Sequence, residues 1–189
     1  VRNELRIIGG TWRSRKIRFP DVPGLRPTPD RVRETLFNWL GQDLEGLTCL
    51  ELFAGSGALS FEAASRGAKR VVLVERSTEA CTALNQSCDL LQARMVQIVP
   101  MDVKRFLAGS AEPFDLVFLD PPFHQGLVDP CCRLLEENGW LAPHAYIYIE
   151  AEKEKVLGQI PDTWQIHRQK QAGELGYHLY KRISAQVNA

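Results

Sequence analysis

Thr48-Cys49-Leu50-Glu51-Leu52-Phe53-Ala54-Gly55-Ser56-Gly57 is the stretch that decides the fold. Its first six residues read as a mostly apolar strand. The turn that follows carries two glycines, which open backbone conformations closed to other residues and let a ligand approach the main chain. Leu59, Phe61, Ala63 and Ala64 then continue as a helix to Gly67. Strand, glycine turn and helix together begin a βαβ unit, and the same alternation repeats to the end of the chain, as in a parallel sheet. Val71-Val72-Leu73-Val74 is a continuous apolar run, the pattern of a strand covered on both faces, and it closes at Glu75. Ser77 or Thr78 can cap a helix to about Leu91. Further strands are predicted from Met95 to Val99, ending near Asp102, and from Phe114 to Leu119, ending at Asp120. A helix from about Leu127 to Glu137 leads to a strand from Ala145 to Glu150. The last two strands, Trp164 to Gln169 and Tyr177 to Arg182, are joined through Gly173-Glu174-Leu175-Gly176 as a hairpin.

A chain of 189 residues with 44% hydrophobic content can bury one core, so one main domain is expected. No run of about 18 apolar residues is present to span a bilayer, and the basic start of the chain is not followed by the apolar stretch of a signal peptide. A cytoplasmic protein is expected. Five cysteines, at 49, 81, 88, 131 and 132, form no CxxC pair. That spacing argues against a disulfide framework or a zinc site, and they read as buried thiols. The formal net charge of zero hides an asymmetry. The first forty residues carry nine Arg or Lys (2, 6, 13, 15, 16, 18, 26, 31 and 33) against four acids (4, 21, 30 and 34), so a polyanion would be met by this arm. Ile7, Ile8, Trp12, Ile17 and Phe19 make the arm too apolar for a disordered tail, and residues 1–25 are expected to form a small basic hairpin. The main domain would then occupy 26–189. It begins with Arg26-Pro27-Thr28-Pro29-Asp30, where Asp30 can cap a helix containing Val32, Leu36, Phe37 and Leu40. No heptad seam calls for a dimer, and a monomer is expected.

In open α/β sheets ligands bind at the carboxyl ends of the strands. Those ends return one acid each: Glu51, Glu75, Asp102 and Asp120. Four acids along one edge would repel a pyrophosphate, but they suit a cationic ligand with ribose hydroxyls and an ammonium. The third position of the dinucleotide fingerprint is Ser60, neither Gly nor Ala, which counts against an NAD-type oxidoreductase. S-adenosyl-L-methionine has adenosine, a sulfonium and no phosphate. Glu75, twenty residues after Gly55, can take both ribose hydroxyls, Asp102 the adenine amino group, and Met101 can pack on the ring. The loop Phe53, Ala54, Gly55, Ser56 and Gly57, together with Arg76 and Asp120, completes the candidate cofactor set.

Asp120-Pro121-Pro122-Phe123 is the candidate catalytic segment. Two prolines make a stiff turn without amide donors, so nearby carbonyls are left free to accept. An exocyclic amine on a base is a poor nucleophile because its lone pair is delocalised into the ring. Acceptors on both of its N–H groups, the Asp120 carboxylate and the Pro121 carbonyl, would pull the nitrogen toward sp³ and aim the lone pair at a methyl carbon. Phe123 offers a face for a base taken out of its stack. Positioning carries the catalysis, and no metal or covalent nucleophile is needed. A catalytically silent nucleic-acid-binding module is the third reading, and the intact tetrapeptide speaks against it.

Glu51-Leu-Phe-Ala-Gly-Ser-Gly57 and Asp120-Pro-Pro-Phe123 resemble the first and fourth motifs of amino-group methyltransferases of the Rossmann-like class I fold. Arg6-Ile-Ile-Gly-Gly-Thr-Trp-Arg-Ser-Arg-Lys16 and Arg26-Pro-Thr-Pro-Asp-Arg-Val-Arg-Glu-Thr-Leu-Phe-Asn38 resemble the N-terminal motifs of the RsmD family, and the similarity covers nearly the whole chain. The resemblance implies an α/β fold with a seven-stranded, mostly parallel sheet, helices on both faces and a C-terminal antiparallel hairpin. It implies methylation of the N2 amine of one guanine in bacterial 16S ribosomal RNA, within a small-subunit assembly particle. Glu51, Gly55, Gly57, Glu75 and Asp102 would hold the cofactor, residues 120–123 the base, and Arg6, Trp12, Arg13, Arg15, Lys16, Arg26, Arg31 and Arg33 the RNA. Asp-Pro-Pro-Phe is shared with adenine-N6 enzymes, so guanine rests on the N-terminal motifs. Glutamine-N5 enzymes usually carry Asn where Asp120 stands. Two positions depart from the family pattern. Glu51 replaces a commoner Asp and keeps its charge, and Pro29 replaces a frequent hydroxyl residue just before a helix, where proline is tolerated.

Overall fold

The computed structural model describes residues 3–153 and 158–183. Arg2, one of the arm's cations, and the last six residues of the 26–189 division lie outside them. Two compact units divide the chain, Val1–Val103 and Lys104–Ala189.

The first unit opens with β1 (Glu4–Arg6) and β2 (Lys16–Arg18), paired antiparallel with Leu5 opposite Ile17. Both of those side chains are buried, so the arm is the small hairpin that its apolar residues predict. Helix α1 (Asp30–Trp39) buries Val32, Leu36 and Phe37. Asp30 does not cap it. Pro29 takes the cap position in extended backbone, and Asp30 enters the first turn, where its carboxylate pairs with Arg33. The βαβ core follows as β3 (Thr48–Leu52), α2 (Ala58–Ser65), β4 (Arg70–Glu75), α3 (Thr78–Leu91) and β5 (Val96–Pro100). The three strands are parallel, with Leu50 opposite Val72 and Val72 opposite Gln97. Val71 to Val74 are buried without alternation, as expected of a strand covered on both sides. Ser77 caps α3 by accepting the Ala80 N–H. Helix α4 (Val103–Leu107), five residues long, is too short to announce itself by periodicity.

The second unit contains β6 (Phe114–Leu119), α5 (Val128–Glu137), β7 (Leu141–Glu152), β8 (Trp164–Ala172) and β9 (Leu175–Arg182). Strand β7 starts four residues before its sequence signal. Exposed Pro143 and His144 interrupt the apolar pattern, and an irregularity moves the register from Phe114↔Leu141 to Leu116↔Tyr146. The closing hairpin is tighter than the four residues expected, because Leu175 and Gly176 already belong to β9. Gly173 makes its turn at φ +59°. The strand order of the sheet is β5-β4-β3-β6-β7-β9-β8, with β7-β9-β8 antiparallel. This is the expected α/β architecture. Four cysteines are buried as read, and Cys88 is half-buried. Among the described residues no helix is long and apolar enough to cross a membrane.

Glu136 of α5 ties the hairpin ends down. Its carboxylate accepts from Thr163 Oγ1 at 2.8 Å, Trp164 Nε1 at 2.8 Å and Arg182 Nε at 2.9 Å. Burial alone would raise its pKa, but the hydrogen bonds from Arg182, Trp164 and Thr163 outweigh burial and hold it below the ordinary value. A depressed folded-state pKa stabilises the fold above the unfolded-state pKa and is lost as the pH falls through the folded one. Glu136→Gln should therefore lower the melting temperature at pH 7 and narrow its deficit below about pH 4. A deficit that does not change between pH 7 and pH 3.5 would refute this.

Candidate active site and nucleic-acid interface

In the first unit the glycine loop is organised by acids. Glu75 Oε1 accepts the Gly55 N–H at 2.9 Å and Oε2 accepts the Ser77 N–H at 2.7 Å, so one carboxylate fixes both the loop after β3 and the start of α3. Each carboxylate oxygen offers about two acceptor sites, which leaves Glu75 capacity for a diol. Glu51 is buried on β3, and its Oε1 accepts the Ser60 hydroxyl at 2.8 Å. That contact gives a reason for the serine at the third fingerprint position: it serves a buried acid where a dinucleotide site would want only close packing. Gly57 sits at φ +76°, and a Cβ there would lie 2.7 Å from Leu84 Cδ2 and from the Phe61 ring. A larger residue would be strained there and would have to displace Leu84 or Phe61. Phe53 is also left-handed, at φ +61°, a conformation costing a non-glycine residue on the order of 1 kcal/mol or more. This feature of the loop was not legible in the sequence. Ala54 and Ser56 are buried, Met101 is half-buried, and Arg76 and Asp102 are exposed. The Met101 N–H donates to the Glu75 carbonyl at 3.1 Å, keeping the β5 end against the β4 end. Glu75, with acceptor capacity beyond its two backbone partners and beside a glycine turn that holds no basic side chain, fits an adenosine-bearing cation.

In the second unit, Asp120 is half-buried at the end of β6, Pro121 is buried, and Pro122 and Phe123 are exposed. Phe123 is 41% accessible, which leaves its ring open to a partner. Three residues that the sequence reading missed, Tyr148, Glu150 and Glu152, stand at alternate positions of β7, the strand paired with β6. The Tyr148 hydroxyl donates to Glu150 Oε1 at 2.6 Å with both side chains buried. The Glu152 carboxylate accepts the N–H of His124, which is held at φ +61°. Burial, then the Glu150 charge and its hydrogen bond, and then the Asp120 charge hold the Tyr148 phenol well above its ordinary pKa, so it stays a neutral donor. The available signal was Glu150 and Glu152 at period 2 in an otherwise apolar strand.

The arm sorts into two groups. Arg6, Arg13, Arg15, Lys16, Arg26 and Arg31 are exposed. Arg33 and Trp12, both expected to face RNA, do not. Arg33 is fully buried, donating to the carbonyls of Thr28 at 3.1 Å and Arg6 at 3.0 Å and pairing with Asp30 and Glu62. Trp12 is packed inside, and its backbone N–H donates to Ser65 Oγ at 2.9 Å. A guanidinium without solvent access cannot reach a phosphate. These residues clamp the arm to α2 instead. Buried Glu62 accepts the N–H groups of Ile8 at 2.8 Å and Gly9 at 3.2 Å, and a Cβ on Gly10 would sit 1.9 Å from the Ser65 carbonyl oxygen. The basic hairpin is thus fastened to the helix that follows the glycine loop.

The family described as Conserved hypothetical protein 95 matches residues 5–181. Ribosomal RNA small subunit methyltransferase D of Escherichia coli K12 is 48% identical over 179 residues, 95% of this chain and 90% of that protein. The chain belongs to this family. Its Haemophilus influenzae relative of the same name is 43% identical over 186 residues, 96% of this chain and 95% of that protein. The solved structure of the yhhF protein of Escherichia coli superimposes with a TM-score of 0.88 at 46% identity, covering 96% of this chain and 99% of that one. The family match over residues 5–181 spans both N-terminal motifs and the tetrapeptide alike.

Proposed function

We propose that this protein is an S-adenosyl-L-methionine-dependent methyltransferase of small-subunit ribosomal RNA that modifies the exocyclic N2 amine of a guanine in 16S RNA. Family membership over nearly the whole chain supports the small-subunit RNA substrate. The resemblance of residues 6–16 and 26–38 supports guanine. The single observation that carries the reaction is the half-buried Asp120 carboxylate at a strand end, followed by two prolines and an open phenyl ring.

S-adenosyl-L-methionine supplies an electrophilic methyl group. Glu75 would hold the ribose hydroxyls with the acceptor capacity left after Gly55 and Ser77, while Glu51 and Asp102 would hold the methionine and adenine portions. Phe123 stacks on the guanine, while Asp120 and the Pro121 carbonyl accept its two N2 protons and orient the nitrogen. After transfer the nitrogen is acidic enough to lose its extra proton to water. Labelled cofactor incubated with 16S ribosomal RNA, free and in small-subunit particles, followed by nucleoside analysis, tests the proposal. Labelled N2-methylguanosine is expected. N6-methyladenosine would overturn the base assignment, and no transfer to either RNA form would overturn the substrate.

The exposed arm cations supply the electrostatic grip. Reversing Arg13, Arg15 and Lys16 together should weaken RNA binding and flatten its salt dependence by about two units of slope, since each phosphate contact contributes roughly 0.7–0.9. An unchanged slope would place the RNA elsewhere.

A further inference from the structure

The arm is not the only basic surface. Strands β8 and β9 contain Arg168, Lys170, Lys181 and Arg182 and no acid. Arg182 is engaged by Glu136, whereas Arg168, Lys170 and Lys181 are exposed. Strand pairing places these three on one face. Arg168 lies opposite Leu179, Lys170 opposite Tyr177, and Lys181 opposite both Gln165 and Tyr146, so all project to the side that carries Tyr146, Tyr148 and Glu150 of β7. One step beyond the Leu119↔Ile149 pair, Asp120 falls beside Glu150, Glu150 beside Tyr177, and Tyr177 beside Lys170. Lys170 is therefore in the row of Asp120, three strands away, about 14 Å at the usual strand spacing. The surroundings suit a polyanion. Lys181 Nζ stands 5.6 Å from the centroid of the Tyr146 ring, and the His167 ring lies against the same tyrosine at 5.6 Å. Of the acids on this face of β7, Glu150 is buried with Tyr148 and Glu152 is bonded to His124.

We propose that the β8–β9 hairpin is a second RNA-contact surface, with Arg168, Lys170 and Lys181 holding phosphates of the strand that flanks the base presented to Asp120. This rests on the RNA-methyltransferase reading above. It adds a contact in the second unit to a grip otherwise supplied by the arm.

Charged residues on an edge strand also have a simpler use, because they prevent pairing between copies. Charge reversal separates the two roles, since Glu at 168 and 170 guards the edge as well as Arg and Lys do but repels phosphate. The double variant Arg168→Glu, Lys170→Glu, and separately Lys170→Gln, would be titrated with a 16S ribosomal RNA transcript across a salt series, beside the arm reversal of Arg13, Arg15 and Lys16. Light scattering and cofactor affinity would be followed in the same samples. The double variant should bind RNA about tenfold or more weakly at 0.1 M salt, with a slope flatter by roughly 1.5. Lys170→Gln should lose about half of that slope change, and both should stay monodisperse and keep the parental cofactor affinity. Parental affinity and slope in both hairpin variants would overturn the inference, as would weakening that appears only with aggregation. Normal binding to free RNA with loss of methylation only on assembled particles would assign the face to a ribosomal protein and overturn it too. If the arm reversal also leaves the slope unchanged, the RNA reading itself fails. If it flattens the slope while the hairpin variants do not, only the second surface is lost.

Discussion

Asp120→Ala is expected to abolish methyl transfer, lowering kcat by about 10³ or more, while cofactor affinity changes by less than about tenfold. The magnitude follows from what the carboxylate does. It is one of two acceptors that organise a weakly nucleophilic amine, and removing one preorganised electrostatic partner from a transition state costs roughly 10²–10³. Alanine also leaves the base free to turn about its stacking contact, so orientation is lost along with polarity. Equilibrium cofactor binding should survive, because Glu51, Glu75 and the Gly55–Gly57 turn are untouched and draw on hydrogen bonds internal to the first unit. Asp120→Asn keeps an acceptor oxygen but no charge, and should fall between alanine and the parent. Single-turnover methylation with 16S RNA, paired with a fluorescence titration of the cofactor, makes the measurement. Substantial activity in the alanine variant would remove Asp120 from the mechanism. Loss of cofactor binding in step with activity would recast it as a cofactor ligand alone.

The strand ends were the most legible part of the molecule. A parallel strand buried on both faces must be apolar, so an acid at its end stands out in the sequence, and Glu51, Glu75 and Asp120 all sit at the ends where the pattern placed them. What the sequence did not disclose was the use of each polar atom. Glu75 looked like a bare ribose acceptor, yet both its oxygens already hold backbone N–H groups, and that pairing depends on a loop closed by residues far apart in the chain. Glu62 lies in a helix buried on every side, so no amphipathic stripe marked it as different from its neighbours. Arg33 was misread for a related reason. Within a cluster of cations on a basic segment, composition does not say which guanidinium turns inward. Only the acceptors it meets decide that, and they come from β1, Thr28, the first residue of α1 and α2.

That reassignment has a measurable consequence. Arg33→Ala should destabilise the fold, with little direct effect on the phosphate contacts made by the exposed cations. Its guanidinium satisfies the carbonyls of Thr28 and Arg6 and offsets the carboxylate of Glu62, whose side chain is fully buried. Breaking a buried ion pair from one side costs about 3–5 kcal/mol, toward the lower end here because Arg66 Nε remains 3.4 Å from the Glu62 carboxylate. In a domain of this size each kcal/mol moves the melting temperature by about 2–4 °C, so a fall of about 10 °C is expected. The arm should loosen first. Glu62 also receives the N–H groups of Ile8 and Gly9, and a carboxylate that turns toward water releases that segment from α2. Arg13→Ala, at an exposed position, should leave the melting temperature within about 1 °C and reduce only RNA affinity. Thermal melts with limited proteolysis of the arm, set beside RNA titrations, distinguish the two arginines. A parental melting temperature in Arg33→Ala, with RNA affinity reduced as in Arg13→Ala, would return Arg33 to the RNA surface.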